Sequence, residues 1–133
     1  MEEKTEFRPG FRLSEVDVGV LIAGTLLSIF VWRFDEWLAV TVIFAVGHFF
    51  LFCNVLRMRR PLELTWTALY LLLASSTILT GFPAWPHTFL SMLGVTAVIA
   101  AIQVRLPSYH GVFWQRLNPG LPEWWAAHGG KRP

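Results

Sequence analysis

Four long apolar runs, at residues 16–32, 37–56, 62–80 and 88–104, alternate with short polar breaks along this chain. Each run is close to the ~20 residues that carry a helix across ~30 Å of hydrocarbon. The breaks at 33–36, 57–61 and 81–87 allow only tight turns, so successive helices are predicted to be antiparallel. The pattern therefore predicts an all-α, polytopic integral membrane protein, an up-down bundle of four transmembrane helices. A tail, 1–15, precedes the bundle, and a Pro- and Trp-rich tail, 105–133, follows it. The first run reads as a retained helix rather than a cleaved signal. Its leader mixes Glu2, Glu3 and Glu6 with basic residues, and Trp-Arg-Phe-Asp-Glu follows it in place of a small-residue cleavage site.

Within lipid, helices associate through small residues and interhelical hydrogen bonds, because lipid tails are as apolar as leucine. Gly24 and Ser28 in the first run and Gly94, Ala97 and Ala101 in the fourth supply small residues at helical spacing. In the third run Glu63, Thr67, Tyr70, Ala74 and Thr77 recur every three or four residues, which predicts one polar-to-small face turned inward. In the second run His48 and Asn54 are six residues apart, about 240° around a helix. They predict neighbours on two faces, one of them outside this chain. Counted from the inner boundary, His48 and Tyr70 fall level at a depth of ~12 Å. Thr25 and Thr96 reach the same level, which predicts a shared polar layer of Thr25, His48, Tyr70 and Thr96.

Composition agrees: 133 residues, 54% of them hydrophobic, make one membrane-embedded domain. Charge adds an orientation. Ten of the eleven Lys and Arg residues fall in the two tails and the 57–61 turn, against Arg33 alone on the other side. Positive charge is retained in the cytoplasm, so both termini are predicted to be cytoplasmic, in a bacterial cytoplasmic (inner) membrane. Trp32, Trp37, Phe82 and Trp85 mark the outer boundary as an aromatic belt, with Pro83 and Pro86 stiffening the turn between them. The tail aromatics Tyr109, Phe113, Trp114, Trp124 and Trp125 predict a segment lying along the inner interface or against a partner. The net charge of +2 is small and forms no basic stripe, which argues against nucleic acid. Cys53 is the one cysteine, so no intramolecular disulfide or thiol-pair chemistry is available.

Candidate chemistry concentrates between Gly47 and Trp66. His48 is read as a neutral imidazole bonded to Tyr70, Thr25 or Thr96, as an axial ligand to a haem or chlorophyll-type pigment with Tyr70 behind it, or as a proton relay. Two histidine ligands to one haem are disfavoured, because His87 lies near the opposite boundary. Arg57, Arg59 and Arg60, with Asn54 and Glu63, form a cationic cluster that enforces topology and suits an anionic lipid headgroup or a partner's acidic tail. Pro61 and Glu63 suit the first turn of the third helix, and Glu63 is placed to pair with Arg59 or Arg60. Asp17 is a second edge carboxylate, within reach of water.

Small multidrug transporters share the four-span size, but they carry a glutamate deep in the first helix where this chain has only Asp17, at the margin. Disulfide-forming quinone enzymes need cysteine pairs, and Cys53 is alone. The residues therefore point first to a small non-catalytic membrane subunit or accessory protein, packed against other membrane subunits or itself. A homo-oligomeric transporter or channel using His48 or Glu63 is the alternative, and a lipid- or quinone-acting membrane enzyme the third. No catalytic residue or metal ligand is assigned.

Overall fold

The computed structural model describes residues 6–128. Glu2, Glu3, Lys4, Lys131 and Arg132, all counted above in the tails, lie outside the described residues. Among the described residues the chain is helical throughout, without strands: α1 (Glu15–Trp32), α2 (Glu36–Phe50), α3 (Arg60–Thr80), α4 (Trp85–Val104), α5 (Trp114–Leu117) and α6 (Leu121–Ala127). α2 continues directly into a π-helical turn, Leu51–Val55. Counted with that extension, four helices of 18 to 21 residues are long and apolar enough to cross a membrane.

Local chemistry sets the helix ends. Ser14 caps α1: its hydroxyl and backbone N–H both donate to the Asp17 carboxylate, at 2.6 and 2.7 Å, and Asp17 N–H donates back to Ser14 Oγ. Asp17 is buried in this capping box, not open to water as its edge position suggested. Asp35 caps α2 by accepting from Leu38 N–H at 3.0 Å. Gly81 ends α3 in the left-handed region, with φ of 73°, where a residue without Cβ is unstrained. Pro86 lies in the first turn of α4 rather than in the preceding loop, a position where its missing N–H costs nothing.

The backbones approach most closely in the α1–α2 and α3–α4 pairs. Along the first pair, Ser28 Oγ donates to Ala39 O at 2.9 Å, and Gly24 lies against Val46, so the two chains run in opposite directions. Gly24 is required there, because a Cβ would fall 2.5 Å from Val46 Cγ2 and 3.3 Å from Val46 Cβ. Along the second pair, Thr77 Oγ1 and Thr88 Oγ1 are 2.8 Å apart near the α3–α4 turn, and Trp66 meets Thr96 further along. Between α2 and α3 the space is filled by rings: Phe44, His48 and Phe52 on one side, Trp66 and Tyr70 on the other.

Two expected faces are turned differently. On α3 Tyr70, Ala74 and Thr77 are buried as the spacing predicts, but Thr67 is exposed and bonds Glu63 O, and Trp66 takes the inward position. On α4 Met92, Thr96, Ile99 and Gln103 form the buried stripe, whereas Gly94, Ala97 and Ala101 face outward. Thr96 on this stripe meets Trp66 by accepting from its indole N–H, and the small residues lie on the far side of the helix. The two faces of α2 are both covered from within the chain, by α1 on one side and by α3 and α4 on the other. Beyond them the Asn54 main-chain carbonyl accepts from Arg12 N–H of the N-terminal segment. Elsewhere the outer surface of the long helices is apolar, with Leu26, Phe30, Leu72, Leu79 and Leu90 more than 60% exposed.

Gly24→Ala is expected to destabilise the protein by about 1–3 kcal/mol, the usual cost of overpacking a tight contact. Adding Val46→Ala should recover most of that loss, measured by unfolding followed by circular dichroism in detergent micelles.

Candidate functional site

His48 lies on the α2 face that meets α3 and α4, four residues after Phe44. Its Nδ1 is 2.8 Å from Phe44 O. A carbonyl only accepts, so the neutral ring donates from Nδ1 and keeps its lone pair on Nε2. The ring stacks on Trp66 at 4.6 Å and lies tilted against Phe44 at 4.2 Å, with Phe52 edge-on at 5.7 Å. Tyr70 stacks on Trp66 in turn, and its hydroxyl donates to Thr41 O at 3.0 Å. Trp66 Nε1–H donates to Thr96 Oγ1 at 2.8 Å, and the Thr96 hydroxyl donates in turn to Met92 O at 2.8 Å.

Three of the four residues of the expected layer, His48, Tyr70 and Thr96, therefore gather around one indole, while Thr25 does not join them. It is exposed on α1 and donates to Leu21 O, because the α1 face that meets α2 is the one carrying Gly24 and Ser28. Among the described residues no hydrogen bond links His48 to Tyr70, Thr25 or Thr96. Trp66, which makes the layer cohere, was readable in one respect: it stands four residues before Tyr70 and so shares its face. For a haem or pigment the donor chemistry of Nε2 is suitable, since metal-ligating histidines donate their other N–H to a carbonyl in this way. His48 is 8% exposed, and the rings of Trp66, Phe44 and Phe52 cover it.

At the other end of the segment, α2 does not simply stop. The π-helical turn is followed by Arg57 with φ of 49°, a left-handed conformation that costs a non-glycine residue about 1 kcal/mol or more. The reversal leaves carbonyls without helical partners, and four separate parts of the chain supply donors. Met58 N–H donates to Phe52 O, Arg12 N–H to Asn54 O and Val112 N–H to Val55 O, at 2.8, 3.3 and 2.8 Å. Gln103 Nε2 donates to Arg57 O at 3.3 Å, while its Oε1 lies 3.4 Å from Arg59 N. The Arg57 guanidinium donates to Arg8 O at 3.2 Å.

The described part of the C-terminal tail is thus docked on the chain's own helix end. His110 O accepts from Gly10 N–H, and buried Tyr109 donates to Val112 O at 2.8 Å, with burial holding its phenol above the ordinary pKa. Gly111 fits because it lacks a side chain: a Cβ there would fall 2.6 Å from Val55 O and 2.8 Å from Leu56 O.

This folding-back assembles an open cleft of about 400 Å³. Arg57, Arg59, Arg60 and Glu63 line it, four of the five residues grouped by the sequence, together with Arg12, Cys53 and His110. Asn54 is not in its wall; it is 1% exposed, and its Nδ2 has no hydrogen-bond partner among the described residues. Arg60 pairs with Glu63 at 3.6 Å, and Cys53 Sγ lies 3.8 Å from the same carboxylate. Arg59, by contrast, shows no ion pair with Glu63. Arg12 and His110 were missed because they lie in the two tails, 45 and more residues from the 57–60 turn, and no local spacing connects them.

With this geometry in view, the chain was compared with known proteins: no protein-family model matches it, and no match was found among curated proteins or among solved structures.

Thr96→Val should leave the Trp66 N–H buried without an acceptor and cost roughly 0.5–2 kcal/mol. In a double-mutant cycle Trp66→Phe should remove most of the additional effect of Thr96→Val, read from unfolding free energies. Gly111→Ala should release the tail from the α2 end, and trypsin cleavage after Arg116 in folded protein should then be faster than in the wild type.

Proposed function

We propose that this protein is a small non-catalytic integral membrane subunit or accessory protein, which crosses a bacterial cytoplasmic membrane four times and packs against other membrane helices. In this reading α1 to α4 run up and down, with both chain ends and the 57–60 turn in the cytoplasm. The apolar outer surface of four helices of membrane-spanning length supports the location, and the gathering of basic residues at the Arg57 end supports the orientation.

The observation that carries the subunit reading is the outer face of α4. Gly94, Ala97 and Ala101 are all exposed there, and a Cβ at Gly94 would meet no atom within 4 Å. The chain's own contacts use the opposite face of α4. Membrane helices approach one another most closely through small residues, so this face suits a helix from another subunit or a second copy.

Mild-detergent purification from the native membrane should bring down a stable membrane partner or a homo-oligomer. Gly94→Leu with Ala97→Leu should abolish that association and leave the helical content unchanged. Recovery of the wild-type protein as a free monomer would overturn the subunit reading. In a chain carrying Cys53→Ala, a membrane-impermeant maleimide applied to intact cells should label Glu36→Cys and spare Arg116→Cys; the reverse result would overturn the orientation.

A further inference from the structure

We propose that the arginine-lined cleft at the α2 end is a binding site for a phosphate-bearing lipid, with the headgroup among the arginines and the acyl chain running along α2 past Phe49. The inference rests on the membrane-spanning reading but not on the subunit role. Its first support is charge. Among the described residues Arg12, Arg57, Arg59 and Arg60 line one cavity together with the acidic Glu63, which pairs with Arg60. Guanidinium groups bind phosphate oxygens in a fixed, often bidentate geometry, and several on one wall suit a group with more than one negative charge.

The second support is the change in character along the cleft. The arginines come from the segment before α1, the turn after α2 and the start of α3, which places them at the ends of the long helices. Phe49 and Cys53 also line the cavity, and Phe49 is eight residues before Arg57, ~12 Å further along the helix. In a membrane-spanning chain those two levels are the headgroup region and the outer hydrocarbon. A free phosphate would use only the arginine level, and an acidic peptide would leave the Phe49 level unfilled. A lipid matches both.

The third support is construction. Arg12 and Arg57 are brought to one cleft by bonds to main-chain carbonyls, from Arg12 N–H to Asn54 O and from the Gln103 side-chain amide to Arg57 O, so their positions are set by the fold. Topology alone requires basic residues on this side of the membrane. It does not require basic residues from separate segments to converge on a cavity.

Cys53, the one thiol of the chain, lines the cleft and reports its occupancy. The full-length protein is reconstituted in phosphatidylcholine nanodiscs, with or without phosphatidic acid, and the rate of maleimide labelling is measured. Failure to enter nanodiscs would overturn the membrane reading itself, separately from the lipid site. Phosphatidic acid is expected to slow labelling severalfold. Arg12→Gln with Arg59→Gln should return the rate to its phosphatidylcholine value. Each basic residue near anionic lipid contributes about a fivefold effect, so either single variant should give an intermediate rate. Neither side chain makes a hydrogen bond that holds the fold together among the described residues, and circular dichroism should be unchanged. Arg105→Gln with Arg116→Gln removes the same charge outside the cleft and should keep the protection intact. Protection that survives in the cleft variant, or that is lost equally in the control, would overturn the site. Equal protection by inorganic phosphate or by an acidic peptide on phosphatidylcholine nanodiscs would overturn its assignment to a lipid.

Discussion

A helix that ends in a left-handed arginine leaves its last carbonyls unpaired, and in this protein the rest of the structure is arranged around pairing them. The carbonyls of Asn54, Val55 and Arg57 accept from Arg12, Val112 and Gln103, which belong to the N-terminal segment, the C-terminal tail and α4. Three bonds therefore tie three distant parts of the chain to one helix end. A buried carbonyl without a partner costs free energy comparable to a lost hydrogen bond, so the three attachments stand or fall with the backbone conformation at Arg57.

The same arrangement makes the arginine-lined cleft. Arg12 N–H is needed at Asn54 O, and its side chain is thereby brought to the wall of the cleft. Gln103 holds the main chain at Arg57 and Arg59 from both sides, and His110 arrives with the strand of tail that pairs with Gly10 and Val55. Both main-chain bonds and side chains hold this end together, the latter through Gln103 and the Arg57 guanidinium, which donates to Arg8 O. The middle of the molecule follows another logic. There α1 and α2 touch through Gly24 and Ser28, whereas α2 and α3 are held apart by stacked rings around Trp66. The rings in the wider gap are what enclose His48.

Much of the fold could be read directly from residue pattern. The four long helices follow from the apolar runs and their short polar breaks, whereas the caps at Ser14, Asp35 and Gly81 were local signals that the apolar pattern did not use. The clustering of Arg57, Arg59, Arg60 and Glu63 was legible because all four lie within seven residues of one another. Level was legible for His48, Tyr70 and Thr96, since depth depends only on counting residues along a helix. Rotation was not. Thr25 shares the level but points elsewhere, and Thr67 yields the inward position to Trp66, because rotation is set by which neighbouring surface has room for which side chain.

What the sequence by itself determined, then, is the four long helices, their approximate lengths and the turn and tails where basic residues collect, all of which depend on residues within a few turns of chain. Only the tertiary structure decided that α2 ends in a π-helical turn whose carbonyls are paired by Arg12, Gln103 and Val112. It alone decided that His48 is sealed by Trp66, Phe44 and Phe52, and that Arg12, Cys53 and His110 share a cleft with the 57–60 turn. Arg12, Gln103 and Val112 lie 42 to 57 residues from the carbonyls they pair, and Trp66 lies 18 residues from His48, so these outcomes depend on distant residues meeting across packed surfaces. No local periodicity carries that information, because the choice between competing partners is made by steric fit and by the need to pair each buried polar group.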